Sequence, residues 1–160
     1  MIDYLEVLSS TEKEKLYNSI PLITVLVAGA DSKIEKKELE WAEKVAYIRS
    51  FKTKEPFKSF YTEVDKGFSD KVLKLISEMP AGVAERNSII NSQLSELNDI
   101  FAKLDPFYGH KIYKGLVSFA HQVAKAAGGV LGFMSISKDE AAWVNLPMIN
   151  PVHYDGDEEE

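Results

Sequence analysis

The sequence predicts an all-α domain, a compact bundle of about seven helices, on three observations. Apolar residues recur at helical steps of three and four through most of the chain. Glycine and proline punctuate those runs, and no segment of alternating polarity reads as a strand. With 160 residues, 45% of them hydrophobic, the chain is long enough for one core and too short for two full domains. Residues 1–150 therefore read as a single domain and 151–160 as an acidic tail.

The elements follow in order. Ser9 or Ser10 ahead of Glu12 and Lys13 marks the first helix start, and Thr11 and Glu14 have the spacing of a capping box. That helix is expected to end near Asn18, with Pro21 opening a second at its first turn, where a missing N–H costs nothing. Leu22, Ile23, Leu26 and Val27 make this second helix almost wholly apolar, the kind that lies in the middle of a bundle. After a corner at Ala28–Asp31, the residues Trp41, Ala42, Val45 and Ile48 give the dry stripe of a helix over about 35–49, with Glu38, Glu40, Glu43 and Lys44 on its wet side. Pro56 starts a short helix with an aromatic face of Phe57, Phe60 and Tyr61. Gly67 ends it, and Ser69 caps a helix carrying Val72, Leu73, Leu75 and Ile76.

Met79–Gly82 is a break. From Val83 the apolar positions Ile90, Leu94, Leu97, Phe101 and Leu104 recur at steps of four, three, four and three, which predicts one long amphipathic helix stopping at Asp105–Pro106. Another spans about 107–127, with Ile112, Leu116, Ala120, Val123 and Ala124 on one face, and ends at Gly128–Gly129. Ser137–Glu140 reads as a capping box opening a last helix through about Asn145.

Charge and composition exclude several functions. Asp and Glu number 25 against 19 Lys and Arg, but five of those acids lie in the last six residues, so the body is nearly neutral, 20 against 19. The lysines are interleaved with acids, so no basic footprint for nucleic acid is expected. The absence of cysteine excludes disulfides, thiolate metal sites and cysteine nucleophiles. The start carries no basic segment ahead of an apolar run, and the longest apolar stretch, 20–30, falls well short of the roughly 20 residues of a membrane span. These readings predict a cytoplasmic protein with no transmembrane segment. No phosphate loop, nucleophile elbow or zinc-protease motif occurs.

The stretch Ala28-Gly29-Ala30-Asp31-Ser32-Lys33-Ile34-Glu35-Lys36-Lys37-Glu38 resembles the loop of the tellurite-resistance TerB-like family. The family's pattern reads roughly Ala-Asp-Gly-x-hydrophobic-Ser-x-x-Glu. Asp31, Ile34 and Glu38 match it, while Ser32 replaces the glycine and Glu35 the serine. The resemblance implies an all-helical domain with approximate internal twofold symmetry and an acidic or divalent-metal site. It also implies a non-catalytic role with protein partners in a membrane-associated stress-response complex. A faint internal copy agrees with the symmetry: residues 34–41 laid over 136–143 align isoleucine, lysine, glutamate and tryptophan. The second corner, however, has Gly128–Gly132 where the first has Asp31.

Asp31, Glu35 and Glu38, joined by Asp139 and Glu140 from the second half, can offer oxygen ligands to Ca²⁺ or Mg²⁺. The same residues also have a purely local reading. Asp31 orders the turn, Glu35 caps the helix, and Glu38 sits at the positive end of its dipole, worth about 0.3–1 kcal/mol. Lys33 and Lys37 stand where an EF-hand would place ligands, which excludes that loop. His110 and His121 lie on one helix face but roughly 16 Å apart along its axis, too far to share an ion, and His153 falls in the tail. Phe51, Phe57, Phe60, Tyr61 and Phe68 read as core or, failing that, as a groove for a peptide or acyl chain. Three functions remain: a TerB-like binding or scaffold module, a small carboxylate metal-dependent enzyme, and a metal-free helix-groove adaptor.

Overall fold

A computed structural model describes residues 3–30, 33–127 and 141–156, and it is all-helical. Seven helices stand among the described residues: α1 (Ser10–Ala28), α2 (Lys36–Lys52), α3 (Phe57–Asp65), α4 (Phe68–Glu78), α5 (Val83–Ser95), α6 (Leu97–Lys103) and α7 (Pro106–Ala127). The residues that would carry a second copy of the corner, 128–140, lie outside the described residues, as do Asp31 and the end of the tail, 157–160.

The centre of the bundle is α1. Every residue from Ser19 to Ala28 is buried, and the other six helices all pack against it. The expected break at Pro21 is absent, because α1 runs through it as one helix. Proline removes the bond to the carbonyl of Tyr17, four residues back, but neighbours on all sides confine the helix to its course. The two buried hydroxyls here are satisfied within α1, Ser19 donating to Leu16 O at 2.6 Å and Thr24 to Ile20 O at 2.9 Å. The capping box forms at Ser9 and Glu12, not at Thr11 and Glu14.

Two other boundaries differ from expectation. The long helix from Val83 divides at Glu96, where the turn tightens and the Glu96 N–H bonds to Gln93 O, three residues back. Because Glu96 keeps right-handed helical dihedrals, the apolar row survives: Ile90, Leu94, Leu97, Phe101 and Leu104 are all buried. Ser69 is no cap. Gly67, at φ +63°, precedes the first residue of α4, a left-handed conformation that glycine adopts without a Cβ penalty. The Ser69 hydroxyl instead donates to the Glu43 carboxylate at 2.5 Å, tying α4 to α2.

The chain ends are part of the fold. Tyr4, Leu5 and Leu8 are buried ahead of α1, and the Tyr4 ring stacks on Tyr108 with centroids 4.8 Å apart. Burial drives the Tyr4 phenol well above the usual tyrosine range. At the other end, the described part of the expected last helix gives turns from Ala142 onward. Leu146 takes φ +49° there, a strained conformation for leucine, while its side chain is wholly buried. Val144, Leu146 and Ile149 enter the core. Asn98 of α6 then pins the segment at both edges, donating to Met148 O at 3.1 Å and accepting from Asn150 N at 2.8 Å. The strap continues antiparallel along α7, where His110 Nδ1 donates to Val152 O at 2.6 Å and the Tyr154 ring meets Phe107. Residues 151–154, expected in the tail, thus lie on the helical body.

Candidate functional site

Three places hold polar or apolar groups that packing alone does not account for: the corner between α1 and α2, the outer seam of α2 with α4, and the outer face of α7.

At the corner, Glu35 and Glu38 form a capping box for α2, in which Glu35 N–H donates to Glu38 Oε1 at 3.2 Å. Glu38 is 3% exposed, while Glu35 reaches outward to Lys37, 3.3 Å away. On the other side of the corner stands a residue that motif reading passed over. Arg86 of α5 is 6% exposed, and its Nη2 donates to Gly29 O at 2.5 Å. Its Nε meets no acceptor among the described residues. A guanidinium at the last carbonyls of α1 and a carboxylate at the first turn of α2 each complement the dipole of the helix they face. The glycine is required by this contact. A Cβ at Gly29 would come within 2.6 Å of Arg86 Nη2 and 2.8 Å of Val25 O.

This arrangement bears on the divalent cation. Of the five acids expected to hold one, Asp31, Asp139 and Glu140 lie outside the described residues. The other two are engaged, Glu38 in capping and Glu35 with a lysine, and a fixed positive charge already occupies the end of α1. Ca²⁺ needs about six to eight oxygens, and no group of three or more His, Asp or Glu poised for a metal stands among the described residues. Glu35 and Glu38 by themselves make no cation cage among the described residues, and no chemistry is routed through one.

Most of the aromatic group is core. Phe60, Tyr61 and Phe68 are buried, and Tyr61 belongs to a node built by Arg49. Arg49 Nη1 donates to Tyr61 Oη at 3.0 Å and to Gly115 O at 2.9 Å, and Nη2 donates to Ser118 Oγ at 2.6 Å. Its guanidinium also lies 5.3 Å from the Tyr61 ring centroid and 5.5 Å from that of Phe119. One side chain thus joins α2, α3 and α7. Burial raises the Tyr61 phenol and the adjacent cation opposes that rise. A Cβ at Gly115 would fall on the Tyr61 hydroxyl, so the seating of that hydroxyl against α7 needs glycine there.

Apolar surface remains on α2. Ala42, Val45 and Ala46 face the core, yet Tyr47 is 57% and Phe51 48% exposed, their rings packed edge to face 5.1 Å apart. Tyr47 follows Glu43 by one turn on a stripe that also carries Glu40 and Lys36. Lys36, Glu40 and Glu43 rim a groove of about 280 Å³ between α2 and α4, floored by Leu39, Phe68 and Val72. Leu73 on its α4 wall is 57% exposed.

The outer face of α7 carries His110 and His121, as their spacing predicts, and the strap brings His153 beside the same face. All three histidines of the chain thus line one groove. His121 Nε2 pairs with Asn145 Oδ1 of the strap at 3.2 Å.

No protein-family model, curated protein or solved structure matches the chain. Among the described residues, no helix is long and apolar enough to cross a membrane.

Proposed function

We propose that the chain is a non-catalytic, cytoplasmic binding module of the TerB-like kind, which acts as a scaffold for a protein partner in a membrane-associated stress-response complex. The observation that carries this reading is the double-sided apolar character of α2. One side supplies Ala42, Val45 and Ala46 to the core, and another keeps Tyr47 and Phe51 half in water. Large aromatic side chains left exposed on the helix that, one turn earlier, also walls an apolar groove lined by Leu73 have the composition of a protein-contact centre. The acids Lys36-flanked on this rim, Glu40 and Glu43, give it polar edges. The fixed corner serves this face by holding the start of α2 in place through Glu38.

Affinity capture from cells that naturally produce the chain tests the reading. The parent is expected to retain a stoichiometric protein partner. A Tyr47→Ala/Phe51→Ala variant, which loses only exposed rings and keeps its helicity, is expected to lose that partner by about tenfold or more in affinity. Equal retention by the variant, or no partner with the parent, would contradict the proposal.

A further inference from the structure

We propose, resting on the protein-contact reading above, that the partner presents a basic amphipathic helix to the seam between α2 and α4, its apolar side chains entering the groove and its lysines or arginines meeting the acids on the rim. The groove lies between two helices, and its floor of Leu39, Phe68 and Val72 is apolar. Leu73 on the α4 wall is 57% exposed, and Tyr47 and Phe51 stand exposed further along α2. From Leu39 to Phe51 the helix rises roughly 18 Å, the length of about three turns. A docked helix of that length presents its anchors at steps of three and four.

Charge decides which kind of helix fits. Glu40 and Glu43 line the groove from α2, and Asp70 stands one turn before Leu73 on α4. Asp65 ends α3 near Glu43. Burial raises the Asp65 carboxyl above its ordinary range, and the negative charge of Glu43 adds to that rise. The two carboxylates thus repel each other where α2 and α3 meet, and a lysine or arginine placed beside both relieves the repulsion. The chain's own bases nearby are committed elsewhere. Lys36 pairs with Glu40 at 3.7 Å and Lys66 with Glu63 at 2.7 Å. Lys44 lies over the Trp41 ring, and Lys71 and Lys74 line a separate groove with Glu14 and Glu78. The described residues hold every lysine and arginine of the chain except Lys138, and none among them pairs with Glu43, Asp65 or Asp70. The Glu43 carboxylate accepts from the Ser69 hydroxyl, a neutral donor. An acidic helix would be repelled at this rim, and a neutral one would leave its carboxylates unpaired.

The test titrates the full chain with two fluorescent peptides at about 0.15 M salt, where charges beyond roughly 8 Å are largely screened. One is an amphipathic leucine–lysine helix of about four turns, and the other is the same peptide with glutamate in place of lysine. The parent is expected to bind the lysine peptide at one site and about tenfold or more tightly than the glutamate peptide. Glu43→Gln/Asp65→Asn, which removes the charges and keeps the side-chain shapes, is expected to bind the lysine peptide about fivefold or more weakly. Leu73→Ser, at an exposed position, is expected to weaken it as well. Glu6→Gln/Glu85→Gln removes the same charge elsewhere and should bind the peptide as the parent does. No binding by the parent, no preference for lysine, or parent-like binding by Glu43→Gln/Asp65→Asn or by Leu73→Ser would overturn the proposal. Self-association of the parent that Leu73→Ser abolishes would overturn it too, by seating a second copy of the chain in the groove. Loss of the natural partner on Tyr47→Ala/Phe51→Ala, beside any of these failures, would confine the error to the basic helix and leave the protein-contact reading standing. Unchanged far-ultraviolet circular dichroism checks that each variant is folded.

Discussion

Leu26→Ala is expected to destabilise the protein by about 4 kcal/mol and to lower its unfolding midpoint by roughly 10 °C. Leu26 is wholly buried near the end of α1, and the size of the effect follows from the position of that helix. A leucine at the edge of a core leaves a cavity that neighbours can partly fill. Helices surround α1 on all sides, and its other residues from Ser19 to Ala28 are also buried, so little can move into the gap. Chemical denaturation of parent and variant measures the loss. A cost under about 1.5 kcal/mol would mean that α1 lies at an accessible edge rather than the centre.

Arg49→Ala is expected to cost about 3 kcal/mol, a large effect for a residue that is not fully buried. The substitution removes three hydrogen bonds and a cation stacked near two rings, and it leaves the Tyr61 hydroxyl, deep between α3 and α7, without its donor. Arg49→Lys is expected to recover little of this. An ammonium cannot hold the Gly115 carbonyl, the Tyr61 phenol and the Ser118 hydroxyl in one plane as the guanidinium fork does. Full recovery in the lysine variant would show that charge rather than fork geometry holds α2, α3 and α7 together.

Much of the fold was legible because periodicity records burial. The row from Ile90 to Leu104 and the apolar run of α1 lie where their spacing put them, and helix is the only regular secondary structure among the described residues. What sequence reading placed wrongly depends on surroundings that a linear pattern does not contain. Pro21 breaks an isolated helix but not one enclosed on every side. Ser69 has the chemistry of a cap, yet Gly67 starts α4 and the serine is used across to Glu43. The strap from Trp143 to Tyr154 carries no helical period, and its burial depends on Asn98 and α7, which only the tertiary fold brings near.

The candidate site was legible in a different measure. Glu35 and Glu38 do stand at the start of α2, where they form its capping box, while Asp31, Asp139 and Glu140 lie outside the described residues. Arg86 and Arg49 were missed, although the sequence holds a signal for both. They are the only arginines among the 19 basic residues, and Arg86 lies four residues before Ile90, on the apolar row. A long cation on a dry stripe needs acceptors, and arginine is favoured over lysine where several fixed acceptors must be met at once.

Arg86 gives the corner between α1 and α2 a fixed positive charge of its own, bonded to Gly29 O. Thermal unfolding of the parent and of Arg86→Met, each with and without millimolar Ca²⁺ or Mg²⁺, tests this most directly. Methionine keeps the packing of the arginine stem and removes the donor to Gly29 O. With Glu38 and Arg86 already engaged at the corner, the parent midpoint is expected to stay within about 1 °C on adding either ion. Arg86→Met is expected to unfold roughly 6 °C lower, for a loss of about 2 kcal/mol, with or without the ion. A rise of several degrees in the parent on adding Ca²⁺ or Mg²⁺, abolished by Asp31→Asn, would contradict the account and make the acidic corner a metal site.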